Sequence, residues 1–263
     1  MALVRVLSLL LLAFQLSAPV QAAGRLERVK AAGQLKVCIW PDYYGITLRH
    51  PRSQQLVGLD IDMAKALASD LGVAVSWVDS SFVTLIDDLL AQRCDIAMFA
   101  VGMLPSRSAK LRFSRPYLQS DIYAVVARGN RVVRRWEDID RPGVHVAVQA
   151  GTFMEPVMAS ALRQATLVRV APPATREREL EAGRVDVFMT DYPYSRRLLD
   201  NADWAQLIEP PRPFHVLPYA YAVAPGDDAW LREVDEFVAR VQRDGRLAAA
   251  GKRHGLETIL RLR

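Results

Sequence analysis

The sequence predicts an α/β protein of two lobes, each a mostly parallel sheet flanked by helices, joined by two extended crossings. Two observations carry this. Short apolar runs rich in Val, Ile and Phe alternate with stretches of helical periodicity, the pattern of parallel strands linked by helical crossovers. The same kind of unit is built twice, once before about residue 124 and once after, with "LQSDIYAVVARGN" as the passage between them. A chain of 263 residues, 51% hydrophobic and 24% charged, is ordinary for one large or two small globular domains.

Taken in order, "RLERVKAAGQLKVCIW" reads as a short helix stopped at Gly33 and a first strand, Leu35 to Trp40. "GLDIDMAKALASDLGV" puts Ile61, Ala64, Leu67 and Leu71 on one helical face, with Asp60 as a candidate cap and Gly72 as the stop. The strand "VAVSWV" follows, then a helix from about Ser81 with Phe82, Leu85, Leu89 and Leu90 apolar, then the strand "DIAMFA". The second series runs strand "VHVAVQ", helix "FMEPVMASALRQ", strand "TLVRV", helix "TRERELEAG", strand "VDVFMT" and helix "DYPYSRRLLD". A last strand, "YAYAVA", leads to helices with Trp230, Val234, Phe237 and Val241 at core spacing, and this tail is expected to return to the first lobe. The predicted organisation is a leader at 1–22, lobe 1 from 23–124 and 218–263, and lobe 2 from 125–217.

"MALVRVLSLLLLAFQLSAPVQA" has an early cation, Arg5, an apolar run, and a break with small residues, the pattern of a cleaved export leader ending at Ala22. No cysteine stands near that site to take a lipid anchor. The formal charge of +5 is small and scattered. Its densest stretches, "NRVVRRW" and "GKRHGLETILRLR", lack interleaved aromatics, so a solvated face is expected and nucleic acid is not a predicted partner. Cys38 and Cys94 are the only cysteines. An exported chain favours their pairing, which requires strands that bring the Cα atoms within about 7 Å; two buried free thiols are the alternative. No metal site is expected, because His50, His145, His215 and His254 are scattered without ligand spacing.

In open α/β sheets small ligands sit beyond the carboxyl ends of the strands. Four such loops hold chemistry here: "PDYYG", "VGMLPSR", "AGT" and "DYP". Arg107 offers a forked, permanent cation suited to a carboxylate. Backbone N–H groups near Gly102 and of Thr152 and Phe153 are candidate anion donors, and Asp191 is a candidate partner for an ammonium. Tyr43 and Phe82 supply apolar walls. Taken singly, each has a plainer explanation: a surface arginine, a helix cap at Asp191, ordinary packing. Taken jointly, they suit a zwitterion.

Five stretches, "GLDIDMAKALASDLGV", "FVTLIDDLLAQRCDIAMFAVGMLPSR", "FSRPY", "VAVQAGT" and "GRVDVFMTDYP", resemble in order and spacing the periplasmic solute-binding proteins of the polar amino acid type, family 3. The likeness covers nearly all of the chain after the leader. It implies a type II periplasmic-binding-protein fold with a two-strand hinge, a ligand buried by closure, and delivery to a membrane ABC permease. It also implies that Arg107 holds the ligand α-carboxylate, assisted by Gly102 and the Gly151-Thr152 turn. Asp191 then takes the α-amino group, and Tyr43 and Phe82 sandwich the side chain. Three positions depart from the family pattern. Trp40-Pro41 stands where many members have an acid, which argues against a basic ligand and adds Trp40 to the candidate site. Leu104 replaces a common Thr, and Phe153 a common Thr or Ser, which favours a less polar ligand.

The expected protein is therefore a monomeric periplasmic binder of a small carboxylate-bearing solute, with no cofactor and no catalytic residues. A ligand-binding sensor or accessory protein acting in trans is one alternative. The other is an enzyme like the periplasmic cyclohexadienyl dehydratases, for which Asp191 or Glu155 is the candidate proton donor. No Gly-x-Ser-x-Gly, His-Glu-x-x-His or phosphate-loop motif is present.

Overall fold

A computed structural model describes residues 23–262; the expected leader, 1–22, lies outside the described residues. Helix α1 (Arg25–Ala32) leads into strand β1 (Gln34–Ile39), and a small antiparallel sheet follows, β2 (Asp42–Tyr43), β3 (Thr47–Arg49) and β4 (Leu56–Val57). Next come α2 (Leu59–Leu71), β5 (Ala74–Asp79), α3 (Leu85–Leu90) and β6 (Ile96–Gly102). The one-turn helix α4 (Pro105–Ser108) and the short strands β7 (Arg112–Phe113) and β8 (Leu118–Ser120) bring the chain to its crossing. The second lobe holds β9 (Ile122–Ala127), β10 (His145–Gln149), α5 (Met154–Ala161), β11 (Thr166–Val170), α6 (Arg176–Glu181), β12 (Val187–Asp191), α7 (Tyr192–Leu199) and β13 (Ala205–Ile208). Strand β14 (Leu217–Val223) returns, and helices α8 (Asp228–Arg243) and α9 (Arg246–His254) pack on the first lobe against α1 and α2.

The first sheet is ordered β5-β1-β6-β14-β7, with β8 also on β14; the second is ordered β11-β10-β12-β9-β13. Each has three parallel strands, β5-β1-β6 and β11-β10-β12, because helices join the strands that follow one another in the chain. The strands that enter and leave a lobe run the other way: β14 is antiparallel to β6, and β9 to β12. All seven residues of β6 are buried, the continuous apolar run of a strand covered on both faces.

The chain passes from one sheet to the other at Asp121 and returns at Leu217, which pairs with Ser120. The Asp121 carboxylate ties the two crossings together. It accepts from the N–H of Ile122 on the outgoing strand (2.7 Å) and from Phe214 (2.8 Å) and His215 (2.6 Å) on the returning one.

Helical stops fall where the sequence predicts, with Gly33 and Gly72 both in left-handed caps. Trp230, Val234, Phe237 and Val241 are buried. Other expectations need correction. Asp60 does not cap α2. It is fully buried in the first turn and accepts from the Ala100 N–H (2.8 Å) and the hydroxyls of Tyr117 (2.5 Å) and Tyr221 (3.0 Å). Helix α3 begins at Leu85 and not Ser81, because the Ser81 and Thr84 side chains hold a turn before it. Leu90, placed on its apolar face, is 46% exposed, and the inward face is instead Leu85, Asp88 and Leu89.

Cys38 and Cys94 form a disulfide with Cα atoms 5.6 Å apart. Cys38 pairs with Ala97 in the β1–β6 register, and Cys94 stands just before β6, so the parallel pairing itself brings the two together.

Candidate functional site

The carboxyl ends of β1, β6, β10 and β12 converge on the cleft between the lobes, where a narrow, partly open cavity of about 20 Å³ remains. Arg107, Asp191, Tyr43, Phe82, Gly102, Thr152, Phe153 and Trp40 all line it, so the eight positions singled out in the sequence come from both lobes to one place.

Arg107 stands on α4, started by Pro105 at its first turn, and is only 4% exposed. Its guanidinium donates to the Gly102 carbonyl of its own lobe (3.0 Å) and to the Gly151 carbonyl of the other (2.8 Å), and it lies 5.2 Å from the centre of the Phe82 ring. Burial pulls its pKa down to about 10, with Tyr219 and Tyr43 acting the other way, so it stays charged at neutral pH. Among the described residues no carboxylate lies within ion-pair distance of it. A buried cation held only by carbonyls is a costly arrangement without an anion to complete it.

The approach of the lobes is close at this point. Gly151 has φ +76°, and a Cβ there would stand 2.8 Å from the Phe82 carbonyl carbon and the Val83 nitrogen. Only glycine allows the two loops to meet. The Thr152 N–H (3.2 Å) and hydroxyl (2.7 Å) both turn back to the Gln149 carbonyl, forming the turn instead of facing the cavity.

Asp191 ends β12 and caps α7 by accepting from the Tyr194 N–H (3.3 Å). The cap and the cleft are one residue's work, since the same carboxylate accepts from the hydroxyls of Tyr43 and of Tyr219 (2.7 Å), both from the first lobe. Burial raises its pKa, and the bonds from Tyr43, Tyr219 and the Tyr194 N–H oppose this.

The aromatic wall is larger than the Tyr43 and Phe82 pair. Trp40 packs edge-on to Phe82 at 5.3 Å and lies nearly parallel (12°) to Tyr194 of the other lobe at 6.3 Å. Phe153 stands edge-on to Tyr219 at 6.0 Å.

Arg176, Thr190, Tyr194 and Tyr219 also line the cavity and were not found from the sequence. Arg176 is 3% exposed, donates to the Met189 carbonyl (2.8 Å), and stacks on the rings of Tyr194 (4.5 Å) and Phe188 (5.2 Å). The Thr190 hydroxyl is buried without a hydrogen-bond partner. Tyr219 alone carried a usable signal, as one of two tyrosines alternating with alanine in "YAYAV". Glu155, the other candidate proton donor, is elsewhere. It accepts from the Gly151 N–H (2.9 Å) and pairs with Arg169 (2.6 Å), and these hold its pKa down against a burial effect acting upward.

Known proteins share this architecture. The crystal structure of the ancestral amino acid-binding protein AncCDT-1, a precursor of cyclohexadienyl dehydratase, superposes with a TM-score of 0.79 at 29% identity, covering 87% of this chain and 98% of that one. The chain is 30% identical to the cyclohexadienyl dehydratase of Pseudomonas aeruginosa over 238 residues, covering 90% of this chain and 88% of that protein. It is 26% identical to the L-cystine-binding protein TcyJ of Escherichia coli K12 over 230 residues, 88% of this chain and 85% of the relative. The fold is that of the type II periplasmic binding proteins. Among the described residues no helix is long and apolar enough to cross a membrane. The model of one family matches residues 35–257, from the first strand to the last helical turn, and the chain belongs to the bacterial extracellular solute-binding proteins, family 3.

Proposed function

We propose that the protein captures a small carboxylate-bearing solute, an amino acid or a relative, between its lobes in the periplasm and presents the closed form to an ABC permease. One observation carries this: Arg107 is a buried cation that reaches both lobes yet has no carboxylate partner among the described residues. A ligand carboxylate supplies that partner. Capture and closure are then the same event, because the ligand completes a charge that each lobe leaves incomplete. A sensor in trans would use the same capture step. The export leader, residues 1–22, and the absence of a lipid anchor belong to this proposal.

Truncating one side of a buried charged contact costs about 2 to 5 kcal/mol. Calorimetric titration of the ligand found by a thermal-shift screen should therefore show Arg107→Ala weakened more than tenfold; equal affinity for variant and wild type removes the proposal.

Catalysis is the second function proposed for this cleft, on the likeness to the Pseudomonas enzyme and on Asp191, a cavity-lining carboxyl whose pKa burial raises. Proton transfer needs a carboxyl free to reach the substrate, and Asp191 already accepts three bonds. Binding is favoured for that reason. Incubation of the purified protein with prephenate or arogenate, with no product formed, settles it for binding.

A further inference from the structure

Two guanidinium groups line the cavity, and they come from opposite lobes: Arg107 from α4 and Arg176 from α6. Both are buried, and neither has a carboxylate within ion-pair distance among the described residues. Arg176 spends one N–H contact on the Met189 carbonyl, and its plane rests on Tyr194, an orientation fixed by stacking. Glu177, its neighbour in sequence, accepts the Tyr194 hydroxyl (2.7 Å) and lines the outer groove instead of this cavity.

Among the described residues the only carboxylate lining the cavity is Asp191, and it is occupied by two tyrosine hydroxyls and a backbone N–H. The cavity therefore holds two cations against at most one anion. A zwitterion, neutral overall, leaves that excess uncompensated, and its single carboxylate serves only one of the two arginines. A basic solute adds a third cation. A solute with two anionic groups gives each arginine a carboxylate partner and so bridges the lobes, Arg107 on the first and Arg176 on the second. The unpartnered Thr190 hydroxyl adds a polar contact on the second-lobe side.

We infer that the cleft selects a small solute with two acidic groups, a dicarboxylate or an acidic amino acid, with Arg107 holding one group and Arg176 the other. The inference rests on the solute-binding function proposed above and names its ligand class. Arg176 acts as the specificity-determining residue, separating solutes with two carboxylates from neutral and basic solutes of the same length.

Calorimetry on the purified protein tests it with succinate, glutarate, L-aspartate and L-glutamate against butyrate, L-norvaline and L-arginine. At least one solute with two carboxylates is expected to bind more than about tenfold tighter than the monocarboxylate or neutral amino acid of matching length. Arg176→Met should collapse that ratio to near one, Arg176→Lys should restore part of it, and near-UV circular dichroism confirms that both variants are folded. Tighter binding of L-norvaline or L-arginine than of every solute with two carboxylates overturns the inference and leaves solute binding standing, as does an unchanged ratio in Arg176→Met. Binding by no member of the panel overturns both.

Discussion

The Arg107 guanidinium donates to the Gly151 carbonyl at 2.8 Å, across the cleft and 44 residues along the chain. The contact exists only when the lobes meet, and Gly151 permits the meeting because it has no Cβ to strike the Phe82 backbone.

Gly151→Ala should therefore act on closure more than on folding. Its Cβ meets the Phe82 and Val83 backbone only in the closed form, where overpacking costs about 1 to 3 kcal/mol. Ligand affinity is expected to fall by about 5- to 150-fold on that scale. The ligand-free melting temperature should drop only by the smaller backbone cost of alanine at positive φ. Titration calorimetry and small-angle scattering check this together; wild-type affinity with a wild-type shift in radius contradicts it.

Tyr43 and Tyr219 both reach from the first lobe to Asp191 on the second. A hydrogen bond to a charged group contributes about 1.5 to 3 kcal/mol. Tyr43→Phe or Tyr219→Phe should each weaken ligand binding by about tenfold or more, and the double variant should lose more than either. A double-mutant cycle read by calorimetry measures the coupling.

Asp60 is buried under Ala100, a cavity-lining residue, and burial raises its pKa to about 7 against the bonds from Tyr117, Ala100 and Tyr221. A carboxyl with a folded pKa above its unfolded one binds more protons in the native state between the two values. Its stabilising contribution is present below the unfolded pKa of 3.8 and is lost as pH rises through about 7. The loss is at most about 4 kcal/mol, by 1.36 kcal/mol per pKa unit. Urea unfolding of the ligand-free protein at steps between pH 4 and 8 should show this decline, and Asp60→Asn should flatten it; an unchanged slope in the variant contradicts the assignment.

The Cys38–Cys94 bond closes a loop with a sequence separation of 56 residues. Chain entropy assigns such a closure about 4 kcal/mol, and measured losses are typically 2 to 4. Cys38→Ser/Cys94→Ser should unfold at lower denaturant by that amount while keeping ligand affinity within about twofold, since neither cysteine lines the cavity. Guanidinium titration and calorimetry on the same sample check both halves.

What the sequence made legible and what it hid follow from the range of the forces involved. Strand and helix order could be read because burial imposes a period on neighbouring residues, and Arg107 could be read because it follows a fully apolar strand. The cysteine pair needed only the parallel neighbour relation of β1 and β6. Arg176 was hidden in "TREREL", where several charged residues stand together and nothing local marks the one that folds inward onto Tyr194. Asp60 looked like a cap because it begins a helix; its real partners, Tyr117 and Tyr221, are 57 and 161 residues away. The short strands β2 to β4 have too few residues for any alternation to show. Distant pairings of single polar groups leave no periodic trace.

The near-parallel Trp40 and Tyr194 rings come from opposite lobes, so their contact is made and broken by the same motion that admits the solute. An indole moving from an aromatic wall into water changes its emission. The chain thus contains its own optical gauge of opening, and stopped-flow fluorescence can time each capture without a dye or a label.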